Sequence, residues 1–302
     1  MKYKKPKNKD HFYYYHNEFF HNYFDLIKAF NEKDYESDMH MQEFYEINII
    51  TKGKGIHFIE DNYIEAKVGN IFIIPPNVTH GYIGGGGFDV FHILISDKFI
   101  QKNINDLQQF PNFYTLFNIE PLIRGATKTP LHLSLNEVQL LKINELLDKL
   151  IEFEDPNSQY SSIKRSNYTM ILLVYLFEIY NENNNYIKNE EIKNDISFMK
   201  VLSYIHENFS KKISIDELSE MSILSRSSFI KKFNKICKMT PLQYITKIRI
   251  EASKNMLLNT NYSLSSIANK TGFYDTSHFI HCFQKETMLT PSQYRKENIK
   301  TS

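Results

Sequence analysis

"SILSRSSFIKKFNKICKMTPLQY", residues 222–244, recurs fifty residues on as "GFYDTSHFIHCFQKETMLTPSQY", residues 272–294, and this repeat decides how the chain is read. Phe229, Ile230, Phe233 and Lys235 return as Phe279, Ile280, Phe283 and Lys285, and Thr240, Pro241, Gln243 and Tyr244 as Thr290, Pro291, Gln293 and Tyr294. Thr-Pro-x-Gln places Thr at a helix N-cap, Pro at the first helical position and Gln at the third, so part of the identity is a helix-start device. Each unit reads as a short helix (215–221; 264–270), a tight turn and a second helix (226–237; 276–286). Ser214 and Glu217 form a capping box at the first start, and Gly272 fills the second turn, where backbone freedom is needed.

The second helices bury Phe229 and Phe233, or Phe279 and Phe283, at i and i+4. Their opposite faces offer Arg226, Ser227, Lys231 and Lys235 in one unit, and Thr276, Ser277, His281 and Lys285 in the other. Small polar residues at a helix start, with cations further along, suit a helix that enters the DNA major groove N-terminus first. Between the units, "PLQYITKIRIEASKNMLLNT" reads as one helix of about 20 residues, hence about 30 Å. Successive major grooves on one face of DNA lie about 34 Å apart. The repeat therefore reads as two heads on a rigid spacer.

Charge points the same way. Residues 196–302 hold 16 Lys and Arg against 8 Asp and Glu, a balance of +8, which leaves 20 against 27 upstream, a balance of −7. A basic half joined to an acidic half implies that one end meets a polyanion. The whole, at 302 residues with 42% apolar and 24% charged content, has the composition of a globular protein of two domains. The longest apolar run, "MILLVYLF" at 170–177, is too short to span a bilayer, and no hydrophobic stretch follows the basic "MKYKKPKNKD", so neither a membrane partner nor a signal peptide is expected. Two cysteines 45 residues apart give no disulfide framework, which fits the cytoplasm.

Upstream of the basic half, "FYEINII", "GIHFIED", "NIFIIPP" and "DVFHILIS" are short β-branched and aromatic runs broken by Gly, Pro, Asn and Asp. They predict a barrel or sandwich over 38–100, with "GGGG" at 84–87 as a loop. From 134 the period becomes helical: Val138, Leu141, Leu146, Leu150 and Phe153 share one spacing, behind a predicted Ser134–Glu137 capping box. A second helix is predicted over 160–180, and the polar, Asn-rich stretch 181–195 reads as a linker.

The stretch "IRIEASKNMLLNTNYSLSSIANKTGFYDTSHFIHCFQKETMLTPSQYRK" resembles the signature of the AraC/XylS family of bacterial transcription regulators, over about the last 100 residues. The resemblance implies two helix-turn-helix units joined by a long helix. It puts base-reading positions at Arg226, Ser227, Ile230 and Lys231, and at Thr276, Ser277, Ile280 and His281. His281 stands where the family commonly has Arg, and the second reading helix carries Asp275 and only Lys285 as a firm cation, so the first unit is expected to supply most of the electrostatic affinity. Ile230 and Ile280 either touch thymine methyls or pack as aliphatics. The spacing His278-x-x-His281-Cys282 invites a zinc reading, but no second ligand cluster accompanies it and a buried thiol is the expectation.

In the acidic half, "MHMQEFYEINIITKG" and "GNIFIIPPNVTH" resemble the two motifs of a cupin barrel, with His40, Gln42, Glu46 and Gly53 in the first and Gly69, Pro75, Asn77 and His80 in the second. Gln42 replaces a histidine, giving a poorer ligand set, so no metal and no cofactor are expected. His40, Gln42, Glu46, His80 and Tyr82 become candidates for holding a small molecule, unless the histidines only satisfy hydrogen bonds of the core or rim.

The reading is an α+β multidomain chain: a cupin-like sensing barrel (1–130), a helical connector and linker (131–195), and an all-α DNA-binding domain with two helix-turn-helix units (196–302). The expected partners are double-stranded DNA at a promoter or operator, a small-molecule effector such as a sugar or other metabolite, a second copy of the chain, and RNA polymerase for an activator. The resemblance implies a dimer built on a connector helix, for which Leu141, Leu146, Leu150 and Phe153 are candidates, though packing on the barrel explains them equally. Two alternatives stay open: a metal-dependent cupin enzyme with an appended helical domain, and a constitutive DNA-binding protein whose barrel only dimerises.

Overall fold

The computed structural model describes residues 12–20, 26–126, 133–153, 158–183 and 190–299. The chain divides into two compact units, residues 1–195 and 196–302. The boundary expected at 130/131 and residues 184–189 of the expected linker lie outside the described residues.

The first unit holds strands β1 (Phe12–Tyr14), β2 (Ile27–Glu32), β3 (Ser37–Gln42), β4 (Tyr45–Lys52), β5 (Lys54–Ile59), β6 (Asn62–Lys67), β7 (Asn70–Ile74), β8 (His80–Gly84) and β9 (Asp89–Ile95), with a short helix α1 (His16–Phe19) after β1. A final strand, β10 (Leu133–Ser134), pairs with β7. They form two five-stranded sheets, in the orders β1-β3-β8-β5-β6 and β10-β7-β4-β9-β2. Side chains alternate across a strand, so Ile47 and Ile49 of β4 face one way and Glu46, Asn48 and Ile50 the other. The isoleucine face joins the main apolar core, with Ile71, Ile73, Ile93 and Ile95. The glutamate face turns toward the barrel interior, so the polar side chains of this strand point inward. Gly84 is the last residue of β8 and not part of the loop, and a Cβ there would stand 2.8 Å from Tyr35 O; Gly85–Gly87 and Phe88 lie between β8 and β9.

Helices cover the isoleucine face. After α2 (Asp97–Leu107), the run Pro111–Ala126 is α3 (Pro111–Tyr114), one π-helical stretch (Thr115–Ile119) and α4 (Glu120–Ala126). Pro121 explains the widened turn: it has no N–H to give and its ring would strike the Phe117 carbonyl of a regular helix. Then follow α5 (Glu137–Glu152) and α6 (Gln159–Asn183). The cap of α5 corrects the sequence reading. Asn136, not Ser134, accepts from the N3 amide, and Gln139 completes the box. Ser134 is spent in β10, where its Oγ accepts from Asn70 Nδ2 at 2.8 Å. The predicted linker is also narrower than expected. The α6 helix runs on to Asn183, and α7 (Glu190–Asn208) has begun before residue 195. Asn is a modest helix former, yet the cost per residue is small against extending an existing helix. Among the described residues no helix is long and apolar enough to cross a membrane.

From residue 196 to 299 the regular structure is all helix: the rest of α7, then α8 (Ile215–Met221), α9 (Arg226–Cys237), α10 (Pro241–Asn259), α11 (Leu264–Lys270), α12 (Thr276–Thr287) and α13 (Pro291–Ile299). The sequence repeat is repeated geometry. Phe229 and Phe233 meet edge-on at 5.6 Å, as do Phe279 and Phe283. Tyr244 then stands 5.4 Å from Phe233 and Tyr294 5.4 Å from Phe283, both at 77°. Thr240 and Gln243, like Thr290 and Gln293, exchange the two capping bonds. The shared Thr-Pro-x-Gln-Tyr thus starts a helix and seats a ring on the preceding one.

Two arginines add ties that the sequence did not reveal. Arg249 of α10 donates to Phe209 O (2.8 Å) and Lys211 O (2.9 Å), beyond the end of α7. Arg295 of α13 donates to Leu257 O (3.0 Å) and Tyr262 O (2.8 Å), around the end of α10. Each spends a guanidinium on carbonyls in or just past a helix's last turn, where no intrahelical N–H reaches them.

The two turns differ by one residue. Ile223 and Leu224 donate back to Glu220 O and Ser219 O, as Gly272 and Phe273 do to Asn269 O and Ala268 O; Tyr274 is the extra residue of the second turn. Ile223 therefore holds the position of Gly272, at φ +57°. A β-branched residue is strained there by about 1–2 kcal/mol, and Ile223 is 80% exposed, so no burial compensates. Ile223→Gly is expected to stabilise the second unit by about 0.5–1 kcal/mol, glycine's own entropy taking back part of the strain relief. A rise in the urea midpoint at unchanged slope checks it; a fall would show that the isoleucine side chain has a packing role.

Candidate functional site

Ser225 caps α9 by accepting from Ser228 N at 3.3 Å. That start presents Arg226, Ser227, Lys231 and Lys235, all exposed, while Ile230 is half-buried. The Arg226 guanidinium is paired with Asp216 of α8, and both are open to solvent. On α12 the cap is Asp275, accepting from His278 N at 2.7 Å. Asp275 thus stands before the helix and its carboxylate is engaged with the backbone, a milder neighbour for a phosphate than the sequence reading assumed. Ser277, His281 and Lys285 are exposed, Thr276 is half-buried, and Ile280 packs against the core that holds Phe279 and Phe283. Cys282 packs on that same core.

The barrel interior brings all five sensor candidates together in burial: His40, Gln42, Glu46, His80 and Tyr82 are each buried. Pairing explains the meeting. His40 and His80 are cross-strand partners in β3 and β8, with ring centres 4.2 Å apart. Glu46 reaches over from the other sheet, and its Oε2 lies 3.1 Å from His80 Nε2. Three further residues were missed. His92 of β9 holds Glu46 Oε1 through Nδ1 at 2.8 Å, Asn48 donates to the Tyr82 hydroxyl at 3.2 Å, and His57 stacks on the Tyr82 ring at 4.4 Å. A signal was available: His92 is the polar residue within the apolar run Val90–Ile95, and Asn48 follows Glu46 at the period of one face.

Burial lifts the Glu46 carboxyl, but hydrogen bonds from His80 and His92, and their charges, outweigh it and hold the group well below the usual carboxylate range. Burial and the neighbouring His80 lower His40 to about 4, so this ring is neutral. Burial also keeps the Tyr82 hydroxyl protonated. At the edge of β7, Arg124 is wholly buried, donates to Ile73 O and lies 5.4 Å over the Phe72 ring. Its neighbour Glu120 is raised to about 7 by burial, which the Arg124 charge only partly offsets.

A cupin fold raises the question of a metal. Among the described residues, His40, Glu46 and His80 form the one cluster of His, Cys, Asp or Glu whose donor atoms all lie within 4.8 Å of one another. The Nδ1 atoms of both histidines face backbone carbonyls, Asp38 O at 2.9 Å and Val78 O at 3.3 Å. A carbonyl only accepts, so in His40 the proton sits on Nδ1 and the Nε2 lone pair is left for another partner, the usual support of a metal-bound imidazole, whereas His80 faces an acceptor at each nitrogen. The donor set fits a divalent ion.

On the connector helices, Leu141 is 66% exposed, Leu146 and Phe153 are half-buried, and Leu150 is fully buried in the main core with Ile143 and Leu147. Leu150 therefore packs on the barrel side and is no surface residue. Beside Leu146 a groove of about 620 Å³ runs between α5 and α6, lined also by Met170, Ile171 and Val174.

Comparison with known proteins agrees with this two-part layout. Residues 25–163 match the family described as AraC-like ligand binding domain, and residues 218–297 match a helix-turn-helix domain. The HTH-type transcriptional activator RhaR of Mannheimia succiniciproducens is 26% identical over 264 residues, which span 87% of this chain and 88% of that one. The Msm operon regulatory protein of Streptococcus mutans is 25% identical over 93% of this chain and 96% of its own. The solved DNA-binding domain of AdpA, in complex with a target DNA, is 21% identical and covers 33% of this chain and 91% of its own, with a TM-score of 0.33. These relatives are regulators, and they lend no support to the metal-enzyme alternative. The chain is an AraC-family DNA-binding transcription regulator, with a cupin-like ligand-binding domain ahead of paired helix-turn-helix units.

Proposed function

We propose that a small molecule held in the barrel interior changes how this regulator presents its two reading heads to a promoter or operator. The observation that carries this reading is the pair of capped helices, each on an edge-on phenylalanine pair, each showing a polar face, and joined by the 19-residue α10, about 28 Å long. Arg226, Ser227, Ile230 and Lys231 would read bases in one box and Thr276, Ser277, Ile280 and His281 in the other, with Lys235 and Lys285 toward phosphates. The effector, a sugar or another metabolite, would meet His40, Gln42, Glu46, His80 and Tyr82. It can shift the regulator only by its differential affinity for two pre-existing states. A metal there would be held by His40, Glu46 and His80 and would supply a Lewis-acid anchor for an oxygen-bearing effector. The exposed Leu141 and the neighbouring groove favour a homodimer through the connector helices, the protein would act in the cytoplasm, and an activator would also contact RNA polymerase.

Selection of bound fragments from random DNA by the intact chain tests the reading. Two short boxes about one helical turn apart, with affinity falling steeply in salt, are expected. Enrichment of a single box would make one head structural, and no enrichment would overturn the assignment.

A further inference from the structure

Arg124 of α4 is wholly buried, and among the described residues its Nε and Nη1 have no hydrogen-bond partner. Nη2 alone is engaged, donating to Ile73 O and lying 3.5 Å from Glu120 Oε2. A guanidinium keeps its proton inside a protein, so N–H groups left bare there cost stability until an acceptor arrives. Glu120 is a poor counter-charge. Burial raises its carboxyl to about 7, and its Oε1 also has no partner among the described residues.

The surroundings of Arg124 indicate what the missing acceptor is. β10 covers the edge of β7 at Asn70 and Ile71, and the Ile73 carbonyl that Arg124 takes lies past that cover. The guanidinium stands over Phe72, which packs with Tyr82 in an interior cluster and lies 4.5 Å from the His57 ring. The cross-strand partner of Phe72 is Asn48. One end of the Asn48 amide meets the Tyr82 hydroxyl, and the other end is unpaired among the described residues. An amide offers an acceptor at one end and a donor at the other, and a hydroxyl can pair with either.

We propose that the effector is a small hydroxy acid, with its carboxylate held by Arg124 and a hydroxyl by Asn48. Asn48 and Phe72 are one strand spacing apart, about 4.8 Å, and the guanidinium stands over Phe72, so a molecule the size of a sugar acid bridges the two anchors. A carboxylate suits the site better than a phosphate monoester. It brings one charge to one guanidinium, whereas the second charge of the phosphate would be buried without a partner. A neutral sugar of the same shape would leave the guanidinium as bare as before. When Glu120 carries its proton, its O–H adds a second donor beside the guanidinium.

This inference rests on the interior being the sensing site, and matched probes separate the two claims. The full chain is melted with glucose, galactose and xylose, with glucuronate, galacturonate, xylonate and glycerate, and with glucose 6-phosphate, each at millimolar concentration; calorimetry then measures what binds. An acid is expected to raise the melting temperature, and its neutral counterpart to bind at least about 30-fold more weakly. Arg124→Met should lose the acid by a similar factor, and Arg124→Lys by less, since the charge stays while the planar fork goes. Without ligand, Arg124→Met should melt no lower than the parent, because an apolar side chain of similar volume removes a buried charge that lacks a full partner. Marked destabilisation there would make the guanidinium a strut between α4 and β7 and overturn the proposal. Acid binding unchanged in Arg124→Met or in Asn48→Leu would overturn it equally, as would a preference for the phosphate. Neutral sugars that bind as well as their acids, or in place of them, would overturn it and leave the sensing reading standing. No response to any probe would count against both.

Discussion

Gly272→Ala is expected to collapse the second head and abolish specific DNA binding by the intact chain. Gly272 adopts φ +80°, in the left-handed region, and a Cβ there would stand 2.6 Å from Ser210 O and 2.7 Å from Ser210 C. Left-handed strain alone costs about 1–2 kcal/mol. The overlap adds more, because the atoms struck are backbone and cannot rotate away. A total of at least about 3 kcal/mol is a large share of the roughly 5–15 kcal/mol that holds a domain together. The damage would fall on recognition, since α12 begins four residues later, and its start must be placed to reach base edges. Thermal unfolding with a gel-shift assay on the selected operator checks both parts. A melting temperature within about 2 °C of the parent would show that the turn can move off Ser210, and would refute the argument.

Arg226→Ala/Lys231→Ala is expected to lower operator affinity about a hundredfold or more at physiological salt and to flatten its salt dependence. Each lost contact of a cation with a base edge is worth about 1–3 kcal/mol, and each lost phosphate contact reduces the salt slope by about one. His281→Ala is expected to cost threefold or less, since an imidazole lacks the five-donor fork with which a guanidinium grips a base edge or phosphate. Anisotropy titrations over a series of salt concentrations measure all three quantities. If Lys231→Ala alone and His281→Ala weaken binding equally, the electrostatic work is shared between the heads and the assignment of it to the first is wrong.

The helical half was legible almost residue by residue, because its information is local. Capping residues, Gly272 and the i, i+4 phenylalanines each act within one or two turns of chain, and α8, α9 and α11 end where the sequence placed them. What failed there was long-range or conformational. Arg249 and Arg295 reach carbonyls more than thirty residues away, and nothing in Ile223 announces a left-handed backbone. In the barrel the motif residues were found, yet His92, Asn48 and His57 were not, because strand pairing across two sheets decides who meets Glu46 and Tyr82. The Ser134 cap failed for a related reason: its hydroxyl was already committed to Asn70, a strand away in space.

Ser210, on which Gly272 rests, lies between Phe209 and Lys211, the two residues whose carbonyls Arg249 holds. The turn of the second head is thus seated on the joint that anchors the first, and Arg295 secures the far end of the same rod. The heads have little freedom to change phase with respect to each other. One residue inserted in α10 would rotate everything beyond it by about 100°. Five base pairs inserted between the boxes would carry the second box to the opposite side of the duplex, out of reach. Promoters under this regulator are therefore free to drift in the letters between the boxes but not in their number, except by whole turns of DNA.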